Sequence, residues 1–167
     1  LNYLSKQGFS HIVIDESSIT WEKFNGDTSS LLVDLWNQII SDSSLKVILH
    51  TYHRLTEGKL QMLLDSNAWA IGIDCIRNDT KKLVQQDFDG KTLLAGVIDS
   101  QSYLRDANTE LIVENSHDLV KLGVDLAEVR SNHIILAPTT RLEFVPRSVA
   151  DRKLKHLGEA LKELQEL

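Results

Sequence analysis

A chain of 167 residues, 42% hydrophobic and 25% charged, is one globular domain's worth of sequence, enough to bury roughly two-thirds of its unfolded surface. Its net charge of −6 argues against a nucleic-acid groove or an anionic membrane as partner, since both need clustered Lys and Arg. With one cysteine, Cys75, the chain has no internal disulfide and no thiolate-rich zinc site; no run reaches the roughly 20 apolar residues that span a bilayer, and no basic-then-apolar leader opens it. These traits fit a cytoplasmic protein that binds small molecules. The chain opens on Leu1 rather than Met, as expected of a fragment, a processed product or a trimmed chain.

In chain order, Leu1 to Gln7 reads as the tail of a helix entering a first apolar run, His11 to Ile14. Ser29 to Ile40 places Leu31, Leu32, Leu35, Trp36 and Ile39 at helical spacing. A second run, Leu45 to Leu49, is followed by helical Leu60, Met62, Leu63 and Leu64. A third, Trp69 to Ile73, precedes a short polar helix over Thr80 to Gln86. A fourth, Thr92 to Ile98, leads to an amphipathic stretch over Val113 to Val129, and a fifth, His133 to Ala137, to the clearest helix, Val149 to Leu167. That last helix carries Leu154, Leu157, Leu161 and Leu164 on one stripe, with Glu159, Lys162, Glu163 and Glu166 forming a solvated charged face. The cluster of Arg152, Lys153, Lys155 and His156 reads as a helix surface or a small anion patch, and Trp21, Trp36 and Trp69 as core or rim packing.

The apolar runs are β-branched-rich and nearly continuous, the pattern of strands buried on both faces. Alternating strands and helices imply a parallel sheet with right-handed crossovers, and residues 1–167 read as a single α/β domain. Two architectures fit. One is a complete five-stranded doubly wound parallel sheet; the other is the C-terminal portion, about five β/α units, of a TIM-type (β/α)8 barrel, whose full length is about 250 residues. No glycine-rich phosphate loop follows any strand, so the usual nucleotide-binding rationale for a doubly wound sheet is missing.

In both architectures ligands bind where strands end. Asp15 and Glu16 follow the first run, His50 the second with His53 close behind, Asp74 and Cys75 the third, Asp99 the fourth, and Pro138, Thr139, Thr140 and Arg141 the fifth. Asp15, His50, Asp74 and Asp99 are therefore expected around a common mouth, where crowded carboxylates repel, shift, or share a cation or proton. The alternative is that each caps the helix that follows it and sits in water.

The strand ends also resemble a known family. Ile12-Val13-Ile14-Asp15-Glu16-Ser17 is similar to the Asp-Glu-Pro strand end of cobalamin-independent methionine synthases, and Leu49-His50-Thr51-Tyr52 to their His-x-Cys motif. Ala70-Ile71-Gly72-Ile73-Asp74 resembles the strand that ends in the family's metal-binding Glu. Leu94 to Asp99 resembles the next strand, and Ile135 to Leu142 the Asn-Pro-Asp-Cys-Gly-Leu turn. The resemblance implies about five β/α units from the C-terminal catalytic barrel of a 5-methyltetrahydropteroyltriglutamate-homocysteine S-methyltransferase, an enzyme of methionine biosynthesis. It also implies methyl transfer from a folate-type donor to a thiol such as homocysteine, activated by zinc.

Carried over, His50 and Asp74 stand at zinc-ligand positions, with Asp74 replacing Glu. Tyr52 and Thr140 stand where the two Cys ligands belong, and neither is a usual zinc ligand. Cys75 and His53 are the other donors nearby. Asp15 and Glu16 match the family's acidic pair, whose Asp contacts the substrate ammonium; Asp99 joins them as a substrate-binding carboxylate, Ser17 replaces Pro, and Arg141 replaces Gly. The implied partner is a small amino acid or thiol. The other reading is a non-catalytic, barrel-derived binding or interaction module. A partial barrel also leaves open strand edges, so self-association or a missing N-terminal barrel segment is expected to cover them.

Overall fold

The computed structural model describes residues 1–20, 26–101, 104–105, 111–112 and 134–166. The helix expected over residues 113–129, together with Trp21 and His133, lies outside them. The chain divides into two compact units, Leu1–Ile73 with Asp87–Leu94, and Asp74–Gln86 with Ala95–Leu167.

In the first unit, α1 (Asn2–Lys6) leads into β1 (His11–Asp15), α2 (Gly26–Ser41), β2 (Lys46–His50) and α3 (Glu57–Leu64), and then into β3 (Ala70–Asp74). β1 pairs parallel with β2 from His11↔Lys46 to Asp15↔His50, and β2 with β3 from Ile48↔Ala70 to His50↔Gly72. Leu49, Leu63 and Ile71 are fully buried, and burial of each such side chain stabilises the fold by about 1.5–3 kcal/mol. α2 contributes Trp36 and Ile40, one turn apart, to this core. At the N-terminal ends of the strands Trp69 takes the His11 ring edge-on at 5.0 Å and lies 4.7 Å from the Lys46 ammonium.

The second unit holds α4 (Thr80–Gln85), most of β4 (Thr92–Ile98), a two-stranded antiparallel ribbon of β5 (Leu104–Arg105) and β6 (Leu111–Ile112), β7 (Ile134–Pro138) and α5 (Arg147–Gln165). Asp79 caps α4, accepting the Lys81 N–H at 3.0 Å. In the first unit's Asp87–Leu94 segment, the left-handed pair Asp89 (φ 49°) and Gly90 (φ 72°) makes the tight turn before β4, held by Asp87, which accepts the Asp89 N–H.

The main sheet has the strand order β1-β2-β3-β4-β7, with all strands parallel. Neighbours follow chain order without reversal. A doubly wound sheet reverses direction at a switch point, so this sequential winding is that of consecutive β/α units in a (β/α)8 barrel. β2 from Val47 on, and β3 and β4 throughout, are buried as the continuous apolar runs require. β1, at the sheet's end, alternates exposed and half-buried residues, with Val13 at 49% exposure.

The helical stripes are divided differently from the sequence expectation. Leu31, Leu35 and Ile39 of α2 face solvent while Trp36 and Ile40 point inward. In α5 the inward face is Val149, Lys153 and Ala160, and the expected stripe residues Leu154 and Leu161 are about half exposed. Lys153 is thus buried and no part of an anion patch. Apolar helix residues left exposed among the described residues suit packing against a further element or a second copy. In sedimentation velocity the isolated chain should associate with rising concentration, and Leu35→Lys or Leu161→Lys should weaken that association; a strictly monomeric chain would count against the partial-barrel reading.

Candidate functional site

The expected site residues lie at the C-terminal ends of their strands: Asp15, His50 and Asp74 close β1, β2 and β3, and Asp99 follows β4. They form two internally bonded groups, one in each unit.

In the first unit the parallel register sets Asp15, His50 and Gly72 side by side. His50 Nδ1 lies 3.1 Å from Asp15 Oδ1, so the carboxylate selects the tautomer with its proton on Nδ1. The backbone locks this corner: the Glu16 N–H donates to the His50 carbonyl at 2.8 Å, and both the N–H and Oγ1 of Thr51 donate to the Gly72 carbonyl at 2.9 Å. A Cβ on Gly72 would stand 2.5 Å from His50 Cδ2, so only glycine lets the imidazole lie against β3. His50 is 6% exposed, and its Nε2 is buried without a hydrogen-bond partner among the described residues. Tyr52 meets the His50 ring edge-on at 6.1 Å and the His53 ring at 5.4 Å. His53 adopts φ 74°, a left-handed conformation a non-glycine residue holds at some cost in strain. Tyr52, at the first lost Cys position, is an aromatic neighbour of the histidine. Glu16 turns away from this pair to accept the N–H and hydroxyl of Ser18, while the Ser17 carbonyl accepts the Thr20 N–H and hydroxyl.

In the second unit Asp74, 1% exposed, is wholly committed. Its Oδ1 accepts the N–H groups of Ile76 and Arg77, both at 3.0 Å, and its Oδ2 accepts Arg77 Nη1 at 2.8 Å. Arg77 Nη2 donates to both oxygens of Asp99 at 3.0 and 3.1 Å. Asp99 Oδ1 also accepts the Gln101 N–H. Burial alone would lower the Arg77 pKa, but hydrogen bonds and charge from Asp74 and Asp99 outweigh it and raise the value above the ordinary arginine range. Burial, reinforced by the Asp74 charge, pushes the Cys75 thiol up to about 12. Cys75 is therefore a neutral buried thiol at physiological pH, neither a ready nucleophile nor a ready metal ligand. Ser100 ties the ends of β4 and β7 together: its hydroxyl donates to the Thr140 carbonyl at 2.6 Å and accepts the Thr140 N–H at 2.9 Å, while its own N–H donates to Thr139 Oγ1. Thr140, at the second lost Cys position, is thus held in a structural staple. Arg141 lies 3.5 Å from Glu143 in an exposed pair.

The zinc implied by the family does not fit these residues. His50 offers one buried nitrogen, but both oxygens of Asp74 are engaged by Arg77 and the backbone, Tyr52 and Thr140 are poor donors, and Cys75 stays protonated. Among the described residues no group of three His, Cys, Asp or Glu side chains is placed to hold a metal. Two residues central to these groups were not singled out by sequence. Gly72 interrupts an Ile-Gly-Ile strand, a signal of close approach. Arg77 follows Asp74 at a three-residue spacing that lets one turn close into an ion pair.

Parallel strands wound in chain order, with polar groups gathered at their C-terminal ends, define a barrel-derived α/β protein. Residues 1–132 match the family sequence model described as cobalamin-independent synthase, N-terminal domain, and the chain belongs to that family. A 5-methyltetrahydropteroyltriglutamate--homocysteine methyltransferase of Desulforamulus reducens is 29% identical over 119 residues, 71% of this chain and 14% of that protein. The chain thus spans about one-seventh of the length of this curated relative. The matching domain corrects one expectation: strand-end motifs pointed to the C-terminal catalytic barrel, whereas the matched domain is the N-terminal one. Apolar strands closed by an acid or histidine belong to β/α units in general, so such motifs identify the family more readily than the domain. Among the described residues no helix is long and apolar enough to cross a membrane.

Gly72→Ala should displace the His50 ring, break its contact with Asp15 and cost about 1–3 kcal/mol in urea unfolding, with a shifted imidazole NMR signal. A thiol with a raised folded-state pKa favours folding below its unfolded pKa, near 9, and destabilises the fold as pH climbs from there toward 12. Stability should therefore fall by up to about 1.4 kcal/mol per pH unit across that window. Cys75→Ala should flatten that fall in denaturant melts, and an unchanged slope would contradict the assignment.

Proposed function

We propose that the chain is a zinc-free, substrate-supporting barrel segment of a methionine-synthase-type methyltransferase. In this reading it serves methyl transfer from a folate-type donor to a thiol such as homocysteine by holding substrate rather than by activating the thiol. The observation that carries the reading is the commitment of Asp74: with both its oxygens bound to Arg77 and the backbone, the donors among the described residues do not assemble a thiolate-activating centre. The family match to the N-terminal domain, rather than the catalytic barrel, supports the same reading.

What this chain's residues supply is a fixed polar corner. Asp15 orients His50 and leaves Nε2 as a lone pair able to accept a hydrogen bond from a hydroxyl, thiol or ammonium. Asp15 keeps a partly exposed carboxylate, at 27% side-chain exposure, able to face a substrate ammonium. Glu16 is a further candidate contact, bonded to Ser18, while Asp99, in the second unit, is bonded to Arg77.

The purified full chain is expected to hold far less than one zinc per molecule and to show no methyl transfer alone. It should bind homocysteine or the folate-type donor in calorimetry, and Asp15→Asn should weaken amino-acid binding about tenfold or more. Stoichiometric zinc lost on His50→Ala would overturn the reading. The exposed apolar stripes of α2 and α5 favour a second one, a non-catalytic interaction module. Concentration-dependent association without binding of either substrate would select it.

A further inference from the structure

We propose that copies of this chain join head to tail, the exposed ridge of α2 on one copy packing against the exposed stripe of α5 on the next. The contact goes beyond the substrate-supporting reading and stands whether or not substrate binds.

Three observations carry it. The first is the shape of α2, which leaves Leu31, Leu35 and Ile39 exposed at 69%, 49% and 40%. Their four-residue spacing makes a continuous ridge, the form that packs into a groove on a facing helix. The second is that α5 offers such a groove. Leu154 and Leu161 stand about half exposed on one stripe, and Gly158 lies between them with open space where a Cβ would be. A glycine inside a helix costs stability relative to alanine, and its bare backbone admits the close approach of a second helix. The third is charge. From Gly26 to Ser41, α2 has no Lys or Arg; exposed Asp34 stands beside Leu35, and exposed Asp42 follows the helix end, where the dipole is already negative. On α5, exposed Lys155 and Lys162 each follow a stripe leucine, and Asp151 on that side is taken by Arg147 at 2.8 Å. Two α2 ridges face to face would instead oppose acid to acid. A second copy therefore supplies the matching surface. Because the two surfaces are unlike, each pairing leaves one of each kind open to a further copy.

The test is sedimentation velocity of the full chain and two variants, each checked for folding by circular dichroism. The unaltered chain should grow in mass with concentration. Leu35→Lys, which spoils the α2 ridge, and Leu161→Lys, which spoils the α5 stripe, should each stay monomeric. Mixed in equal amounts they should form a complex of two chains and nothing larger, since each retains the surface the other has lost. In that mixture, Lys155→Glu with Lys162→Glu on the copy that supplies α5 should raise the dissociation constant about tenfold or more, and Asp34→Lys on the copy that supplies α2 should recover part of the loss. A mixture of folded variants that stays monomeric overturns the proposal, as does either variant associating alone as readily as the unaltered chain. Should one fail to fold, Leu31→Glu or Leu154→Glu takes its place with the same expectations. A strictly monomeric unaltered chain would leave the two faces to a different protein and also overturns it.

Discussion

The register of the parallel strands is the constraint on which the first polar group depends. Pairing β1 with β2 at Asp15↔His50, and β2 with β3 at His50↔Gly72, puts an acid, an imidazole and a bare backbone in one row. A slip of one residue would carry each side chain to the other face of the sheet. The hydrogen bonds that flank the row, from Glu16 to the His50 carbonyl and from Thr51 to the Gly72 carbonyl, hold that register at the point where the strands stop. Chemistry at this end of the first unit is therefore set by backbone pairing before any side chain makes a contact.

The second unit reaches a fixed arrangement by another route. Its acids are held by a side-chain cation and by N–H groups of the turn that follows β3. The two devices give different electrostatics. The imidazole's buried Nε2 has no hydrogen-bond partner among the described residues, whereas Asp74 and Asp99 share the one guanidinium of Arg77. A thiol-activating metal needs several uncommitted donors of suitable softness. Neither group provides them among the described residues.

Much of the architecture was legible because parallel, doubly buried strands have a plain signature. The runs at Val47 to Leu49, Ala70 to Ile73 and Leu93 to Ile98 are continuous and apolar, and these residues are buried. The positions of Asp15, His50, Asp74 and Asp99 at strand ends followed from those runs. Their partners did not. Sequence places a residue at a strand end but does not say whether its charge faces a ligand or an arginine in the next turn, so Arg77 escaped notice. The inward faces of the helices were not legible for a related reason. Hydrophobic periodicity finds an apolar stripe but not what covers it. In α5 the small residues Val149 and Ala160, with the stem of Lys153, take the inward face while Leu154 and Leu161 turn outward. The domain, too, escaped the strand-end motifs, because β/α units share them.

The closeness of Gly72 to the His50 ring makes the two positions a single heritable unit. A lineage that places a side chain on β3 at that point must first surrender the imidazole on β2, or accept a strained sheet. Once the histidine is replaced by something smaller, the glycine loses its reason to persist. Descendants are therefore expected to keep both or neither, and a chain carrying one without the other would be caught midway between two ways of closing the same pair of strands.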